Sequence, residues 1–304
     1  MVPLNTKEIV VEKNKQRALL WREVIQNCLG PDYIPVVHKT LVGCNIQMFA
    51  KREHINRIRG IRKCKVKTGL AGMTGNKGGV ALRFLFDDTS FAFINCHLEA
   101  GQTKLGERFE NLRQIYNHIF NDFSVALTRE KNFHDYKCFF GDMNFRVDLP
   151  NHEVRELIKQ KNITRLLAHD QLLLGIQKTV FTNLFQEAPI TFLPTYKFDF
   201  NCDEYDTSGK NRIPAYTDRI LMCRDSQSKQ QLVTDRFSSD AEASLPMYYN
   251  SKQHYLSDHR PVLAIYRMQT FKVDRDKKEQ LRRSIQKTLV PGHVEIDVVK
   301  EKIA

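Results

Sequence analysis

The chain reads as an α/β fold built on mixed sheets, and three observations predict it. Strand-like runs outnumber long stretches of helical spacing. A hairpin signature, Val80 to Phe86 and Phe91 to Cys96 about Asp87-Asp88-Thr89-Ser90, occurs beside helix-length crossovers, so antiparallel and parallel pairing are both expected. Finally, the acid-bearing segments Gly141 to Arg146, Tyr216 to Leu221 and Leu256 to Val262 each abut a strand-like run, which suggests one shared rim of a sheet.

Taken in order, residues 7 to 29 carry Ile9, Val10, Ala18, Leu19, Trp21, Val24, Ile25 and Leu29, and from Lys13 onward the spacing is that of an amphipathic helix, stopped by Gly30-Pro31. Tyr33 to His38 and Val42 to Ala50 read as strands. The second alternates little and is expected to be buried on both faces. After the hairpin, Leu105, Phe109, Leu112, Ile115, Tyr116 and Ile119 give helical spacing from Gln102 to Phe123. Cys138-Phe139-Phe140 is a short apolar strand. Residues 151 to 174 read as helix, with a capping-type start at Asn151 to Glu153. Asp199 to Ile213 is polar and turn-rich, a long functional loop in character. Beyond Tyr266 the pattern changes to a basic tail compatible with helix (Lys272, Arg275, Lys277, Lys278, Arg282, Arg283, Lys287), read as a solvated face.

The 304 residues suffice for one large core, and no Pro/Gly/Ser stretch divides them, so residues 1–268 are expected to form one unit with 269–304 as its tail. Lys+Arg exceed Asp+Glu by 47 to 35, a net charge of +12, which favours polyanions: nucleic acid, inositol phosphates or an acidic membrane face. The seven cysteines are scattered without a CxxC pair, so neither a disulfide framework nor a zinc site is indicated, and a reducing cytosol fits best. Without a hydrophobic run of about 20 residues, membrane contact would be peripheral.

Gly141-Asp142-Met143-Asn144-Phe145-Arg146 is the most informative stretch. A carboxylate and a carboxamide two residues apart, directly after an apolar strand, can activate a water and hold it, an arrangement for hydrolysis; the same residues are also ordinary turn formers. His97 ends the second hairpin strand and could share that edge with Asp142 and Asn144. The glycine-dense stretch from Gly69 to Gly79 could present N–H groups, Asn76 and Lys77 to a phosphate, or serve only as a hairpin connection. Its Leu70 and Met73 could dip into lipid, with Lys63, Lys65 and Lys67 nearby for acidic headgroups. Tyr196, Lys197, Lys210 and Arg212 would suit a substrate bearing more than one phosphate.

Together GNKGGVALRF, INCHLEAG, FFGDMNFRVDLP, FLPTYKFD, YDTSGKNRIPAYTDRIL and YLSDHRPVLAIY resemble the inositol polyphosphate 5-phosphatase catalytic domain of the endonuclease/exonuclease/phosphatase superfamily. The resemblance runs to about Tyr266. It implies a four-layer sandwich of two mixed β-sheets flanked by helices, with the site at one rim. It also implies magnesium-dependent removal of the 5-phosphate from phosphoinositides or soluble inositol polyphosphates by a cytoplasmic, peripherally membrane-associated enzyme that does not act on nucleic acid. Carried over by motif, Asp142 would activate water, Asn144 would orient it, His259 would stabilise charge on the phosphate with Asp218 fixing its imidazole, and His97 would touch the phosphate. Asp258 would lie on the metal side, Asn76 and Lys77 would contact substrate, and Tyr196, Lys197, Lys210 and Arg212 would hold the neighbouring 4-phosphate.

Two departures bear on this. Tyr216 stands where the family usually has Trp. The family's opening strand, with an Asn and then a Gln-Glu pair whose Glu is a principal magnesium ligand, has no counterpart after Met1, so weak magnesium binding and weak activity are expected. A superfamily nuclease and a catalytically impaired phosphoinositide-binding fragment are the competing readings.

Overall fold

In the computed structural model, residues 6–41, 43–69, 74–121, 134–176, 185–224, 248–252 and 255–289 are described. Helix α1 (Thr6–Leu29) leads into the strand pair β1 (Tyr33–Leu41) and β2 (Cys44–Lys51), followed by a 3₁₀ turn at Arg52–Arg57. Then come β3 (Ile58–Gly69), β4 (Thr74–Phe86), β5 (Thr89–His97), α2 (Leu105–Asn121) and β6 (Tyr136–Asp142). Three short helices, α3 (Asn151–Lys159), α4 (Ile163–Leu167) and α5 (Gln171–Ile176), precede β7 (Gln186–Glu187) and β8 (Asp218–Arg224). The hairpin β9 (Tyr248–Ser251) and β10 (Val262–Ile265) and helix α6 (Arg275–Leu289) complete the described order.

The central sheet has the order β3-β4-β5-β6-β8-β7. Only β5 and β6 run parallel, because α2 carries the chain back between them; a parallel pair requires such a crossover. Leu112, Ile115 and Ile119 of α2 are almost fully buried against Ala81, Ile94, Cys96, Phe139 and Leu221. Burial of side chains this size stabilises by roughly 1.5–3 kcal/mol each. On the opposite face, Leu41, Cys44 and Ile46 of the β1–β2 pair pack on Val80 and Leu82, while Tyr249, Val262 and Ala264 of the β9–β10 pair pack with Ile220. Helix α1 lies outside β1–β2, with Gln47 Nε2 donating to Ala18 O at 3.1 Å. The result is the expected layering: helix, mixed sheet, a second β layer, helix. Among the described residues that second layer consists of two separate antiparallel ladders.

Several expectations are corrected. β2 is half-buried, since it belongs to a two-stranded ladder with one face on the core. The run from 151 to 174 is broken by Gln160–Asn162, where Lys161 takes φ 53°, and again at His169. Helix α3 starts after Pro150, without a side-chain cap. The glycine-dense stretch is largely strand, not loop: β3 and β4 flank 70–73, and Gly78, at φ 144°, lets β4 approach β3 so closely that a Cβ would lie 2.1 Å from Val66 O. Leu70 and Met73 fall outside the described residues.

Candidate active site

Strand pairing alone assembles the centre. His97 at the end of β5 is level with Asp142 at the end of β6, and Asp142 is level with Asp218 at the start of β8. Residues level in adjacent strands point to one face, so the three side chains rise side by side from one rim. The apolar runs that precede Asp142 and follow Asp218 fix the strands, and each acid falls where its strand meets the rim. Gly141, at φ 126°, makes the last step possible: a Cβ there would lie 2.3 Å from Cys96 O and 2.4 Å from Asn95 Oδ1.

His259 closes the row from the other side. Its Nδ1 lies 2.9 and 3.1 Å from the Asp218 carboxylate oxygens, and its ring packs on Tyr196 at 4.6 Å between centroids. Asp218 is steadied by hydroxyls: Thr195 Oγ1 donates to Oδ2 at 2.7 Å and Thr217 Oγ1 at 2.9 Å. Burial opposes the imidazolium, but the hydrogen bond to Asp218 and the fields of Asp218, Asp142 and Asp258 outweigh it, holding His259 above the ordinary 6.5. Its Nε2 edge is left to act on a ligand.

Asp142 shows the opposite balance of terms. Burial pushes its pKa up, yet the hydrogen bond to His97 and the fields of His259, His97 and Lys77 prevail, so it stays below the usual carboxylate range. His97 Nε2 stands 3.3 Å from Asp142 Oδ2 and 2.5 Å from Lys77 Nζ. Lys77 is thus a buried strand residue level with the rim, not the tip of a loop, and burial lowers its pKa. Asn76, its neighbour, is exposed.

Asn144 takes φ 56°, with its N–H on Asp142 Oδ1 at 3.0 Å. Both ends of its carboxamide are engaged: Nδ2 donates to Leu98 O at 3.1 Å, and Oδ1 accepts from Arg146 Nη2 at 2.5 Å. Arg146 also donates to Asn144 O, and its guanidinium lies over the Tyr196 ring at 4.9 Å. Lys197 Nζ donates to Asp258 Oδ2 at 2.7 Å. Lys210 and Arg212 are exposed on the loop after Asp199, which Arg155 ties down through Asp206 O and Asn211 Oδ1.

The structure therefore brings Lys77, His97, Asp142, Asn144, Asp218, His259 and Tyr196 into one connected group, joined by the Lys197–Asp258 pair. It leaves Lys210 and Arg212 outside that hydrogen-bonded group. Sequence reading missed Thr195, Thr217 and Arg146. The available signal was a hydroxyl residue beside Tyr196 and beside Asp218 and an arginine two residues after Asn144, and all three prove buried.

A divalent cation needs several oxygen ligands. Among the described residues no three His, Cys, Asp or Glu side chains converge on a point that could hold one. The pairings show why: Asp142 is matched by His97 and Lys77, Asp218 by His259, and Asp258 by Lys197. As arranged, this donor set does not fit a metal shell.

The sequence profile of Endonuclease/Exonuclease/phosphatase family 2 matches residues 1–265. Human Synaptojanin-1 is 36% identical over 94% of the chain, and the Inositol-1,4,5-trisphosphate 5-phosphatase 1 of Schizosaccharomyces pombe is 36% identical over 91%. The chain spans 19% and 24% of those proteins. Among solved structures, the inositol polyphosphate 5-phosphatase domain of SPsynaptojanin, in complex with inositol (1,4)-bisphosphate and calcium ion, superposes with a TM-score of 0.68 at 34% identity, over 95% of this chain and 80% of that one.

Proposed function

Because the chain belongs to the endonuclease/exonuclease/phosphatase family, among its inositol polyphosphate 5-phosphatases, we propose that it removes the 5-phosphate from phosphoinositides or soluble inositol polyphosphates. The observation that carries this is the level row His97, Asp142, Asp218 with His259 locked to its last member. It sets a charged carboxylate and an imidazolium around one point, which suits in-line attack on a phosphate monoester. The bound inositol bisphosphate of the SPsynaptojanin structure supports the substrate class.

Asp142, ionised at neutral pH, orients a water and takes its proton as the water oxygen bonds to phosphorus. Asn144, held by Leu98 and Arg146, keeps that carboxylate and water in line. His259 donates from Nε2 to a phosphoryl oxygen as charge gathers there, while Asp218 maintains its protonation. Lys77 and His97 meet the remaining phosphoryl oxygens. The ester P–O bond breaks with its electron pair staying on the inositol oxygen, which takes a proton from solvent to become a hydroxyl; inorganic phosphate leaves, and Asp142 returns the proton it took to solvent. Lys197, with Lys210 and Arg212, is assigned to a 4-phosphate, and Asn76 to the substrate face; Lys197 must release Asp258 to do so.

Magnesium dependence, with Asp258 on the cation's side, is proposed on the strength of the resemblance alone; the arrangement described above does not fit the ion unless Asp258 exchanges Lys197 for it, and chelation tests the point. The steps above use only the chain's own side chains. We assign the catalytic unit to residues 1–268 and its setting to the cytoplasmic face of an acidic membrane. No described helix is long and apolar enough to cross a membrane.

The test is phosphate release from inositol (1,4,5)-trisphosphate and from vesicles holding phosphatidylinositol (4,5)-bisphosphate, with and without magnesium, against an Asp142→Ala control. Release from neither substrate, or nicking of plasmid DNA in preference to both, would overturn the reading. One observation favours a second reading. The site's carboxylates are already closed by internal cations, as suits a domain that binds inositol phosphates without hydrolysing them. Calorimetric binding without turnover would establish it.

A further inference from the structure

We propose that the edge strand β3 presents a docking face for an acidic membrane, formed by Lys63, Lys65 and Lys67, and that this face lies beside the catalytic rim. The inference deepens the reading above and rests on it only for the choice of partner.

β3 is the outer strand of the central sheet, bonded on one side to β4. Cys64 and Val66 pack into the α2-side core, so the alternating Lys63, Lys65 and Lys67 occupy the other face, where all three are exposed. They span about 13 Å at ~3.3 Å per residue. Lys67 is level with Gly78, Gly78 with His97, and His97 with Asp142, so the lysine array climbs to the row that carries the active site.

Among the described residues its charge is not neutralised. Arg57 and Arg59, at the far end of the same stretch, pair with Asp87 and Asp88. No acid among the described residues pairs with Lys63, Lys65 or Lys67. Positive potential is concentrated there: besides burial, the fields of Arg22 and Lys63 push the His38 imidazole down.

Lysines on an edge strand commonly serve to block edge-to-edge pairing. That task is met by charge of either sign and needs neither a single face nor proximity to the rim. The other basic element, α6, is less suited. Its Lys277, Arg282 and Arg283 sit against Asp274 and Glu279. It also departs from the opposite pole, where Phe271 N donates to Thr89 Oγ1 and Val273 N to Asp88 Oδ2, about 26 Å along β5 from His97. A membrane held by α6 would face away from the active site. One held by β3 lies next to it, where a headgroup can enter the row from the lipid plane.

The experiment is co-sedimentation of the chain with phosphatidylcholine vesicles containing or lacking 30% phosphatidylserine, read independently of catalysis. The expected result is binding only to the acidic vesicles. Lys63→Gln, Lys65→Gln and Lys67→Gln should each weaken it about 5-fold and together about 100-fold, from the ordinary contribution of a lysine near such a surface. The triple Lys→Arg variant should retain it. A triple Lys→Glu variant should keep the parent's oligomeric state, as an edge-blocking role allows, yet lose vesicle binding while hydrolysing soluble inositol (1,4,5)-trisphosphate at the parental rate. The proposal is overturned if the triple Gln variant binds like the parent, if the parent does not distinguish the vesicles, if neutralising Lys277, Lys278, Arg282 and Arg283 abolishes binding instead, or if duplex DNA displaces the vesicles at equal phosphate concentration. Should the chain prove inactive on every substrate, the sedimentation result still decides this point.

Discussion

Replacing Asp218 by Asn keeps the shape of the group that faces His259 and removes its charge. In the parent structure the imidazole Nδ1 lies 2.9 Å from Asp218 Oδ2, with the two side chains 27% and 20% exposed. A hydrogen bond to a charged partner contributes about 1.5–3 kcal/mol. Partial solvent access favours the lower figure. The His259 pKa should therefore fall in Asp218→Asn, with Asp142 and Asp258 sustaining what elevation remains. The sign for stability follows from the elevation. A histidine raised in the folded state adds stability that is fully present below its unfolded pKa, about 6.5, and is lost as pH rises through the folded value. Asp218→Asn should thus lower Tm at pH 6 and much less at pH 9. Titration of the imidazole by NMR measures the shift directly, and the alkaline limb of kcat should move to lower pH by the same amount. An imidazole pKa unchanged in the variant, or one at or below 6.5 in the parent, would refute the pairing and with it the role of His259 as a charged donor.

Further outcomes follow from the same geometry. Arg146→Ala should leave Asn144 Oδ1 and O without their donor and destabilise the fold by about 1–3 kcal/mol in urea melts, with a fall in kcat larger than the rise in KM; a change confined to KM would assign Arg146 to substrate. Lys77→Met, near-isosteric but uncharged, should raise KM for inositol (1,4,5)-trisphosphate at least tenfold while Tm changes little, since the lysine's main described contact is His97. Arg219→Met strands two buried acids, Asp170 at 2.8 Å and Glu187 at 2.5 Å, and should lower stability by about 3–5 kcal/mol by denaturant titration. Gly141→Ala would drive a Cβ into Cys96 O and should abolish phosphate release while α2 keeps its circular-dichroism signal.

Particular elements show where sequence reading succeeded and where it failed. The β4–β5 hairpin, α2 and β6 were legible because each carries its periodicity in apolar residues that are in fact buried, such as Ile94, Ile115 and Phe139. β3 went unread. Its alternation is written in lysines against Cys64 and Val66, and an exposed edge strand has little hydrophobic pattern to show. The glycines of 69–79 read as a loop from sequence because closeness between strands, their actual use at Gly78, is a property of the neighbour and not of the local string.

What the sequence determined by itself was the set of groups: two Asp residues and a His placed where apolar strands begin or end, a carboxamide two residues on, and an excess of cations, since local composition decides both strand ends and side-chain chemistry. Tertiary structure alone decided their arrangement. Sheet register, fixed by long-range pairing of β4, β5, β6 and β8, set His97, Asp142 and Asp218 level, buried Lys77 against His97, and matched each carboxylate with a particular cation. A slip of one residue in any of those ladders would turn a side chain to the opposite face, and nothing in the local sequence records which register prevails.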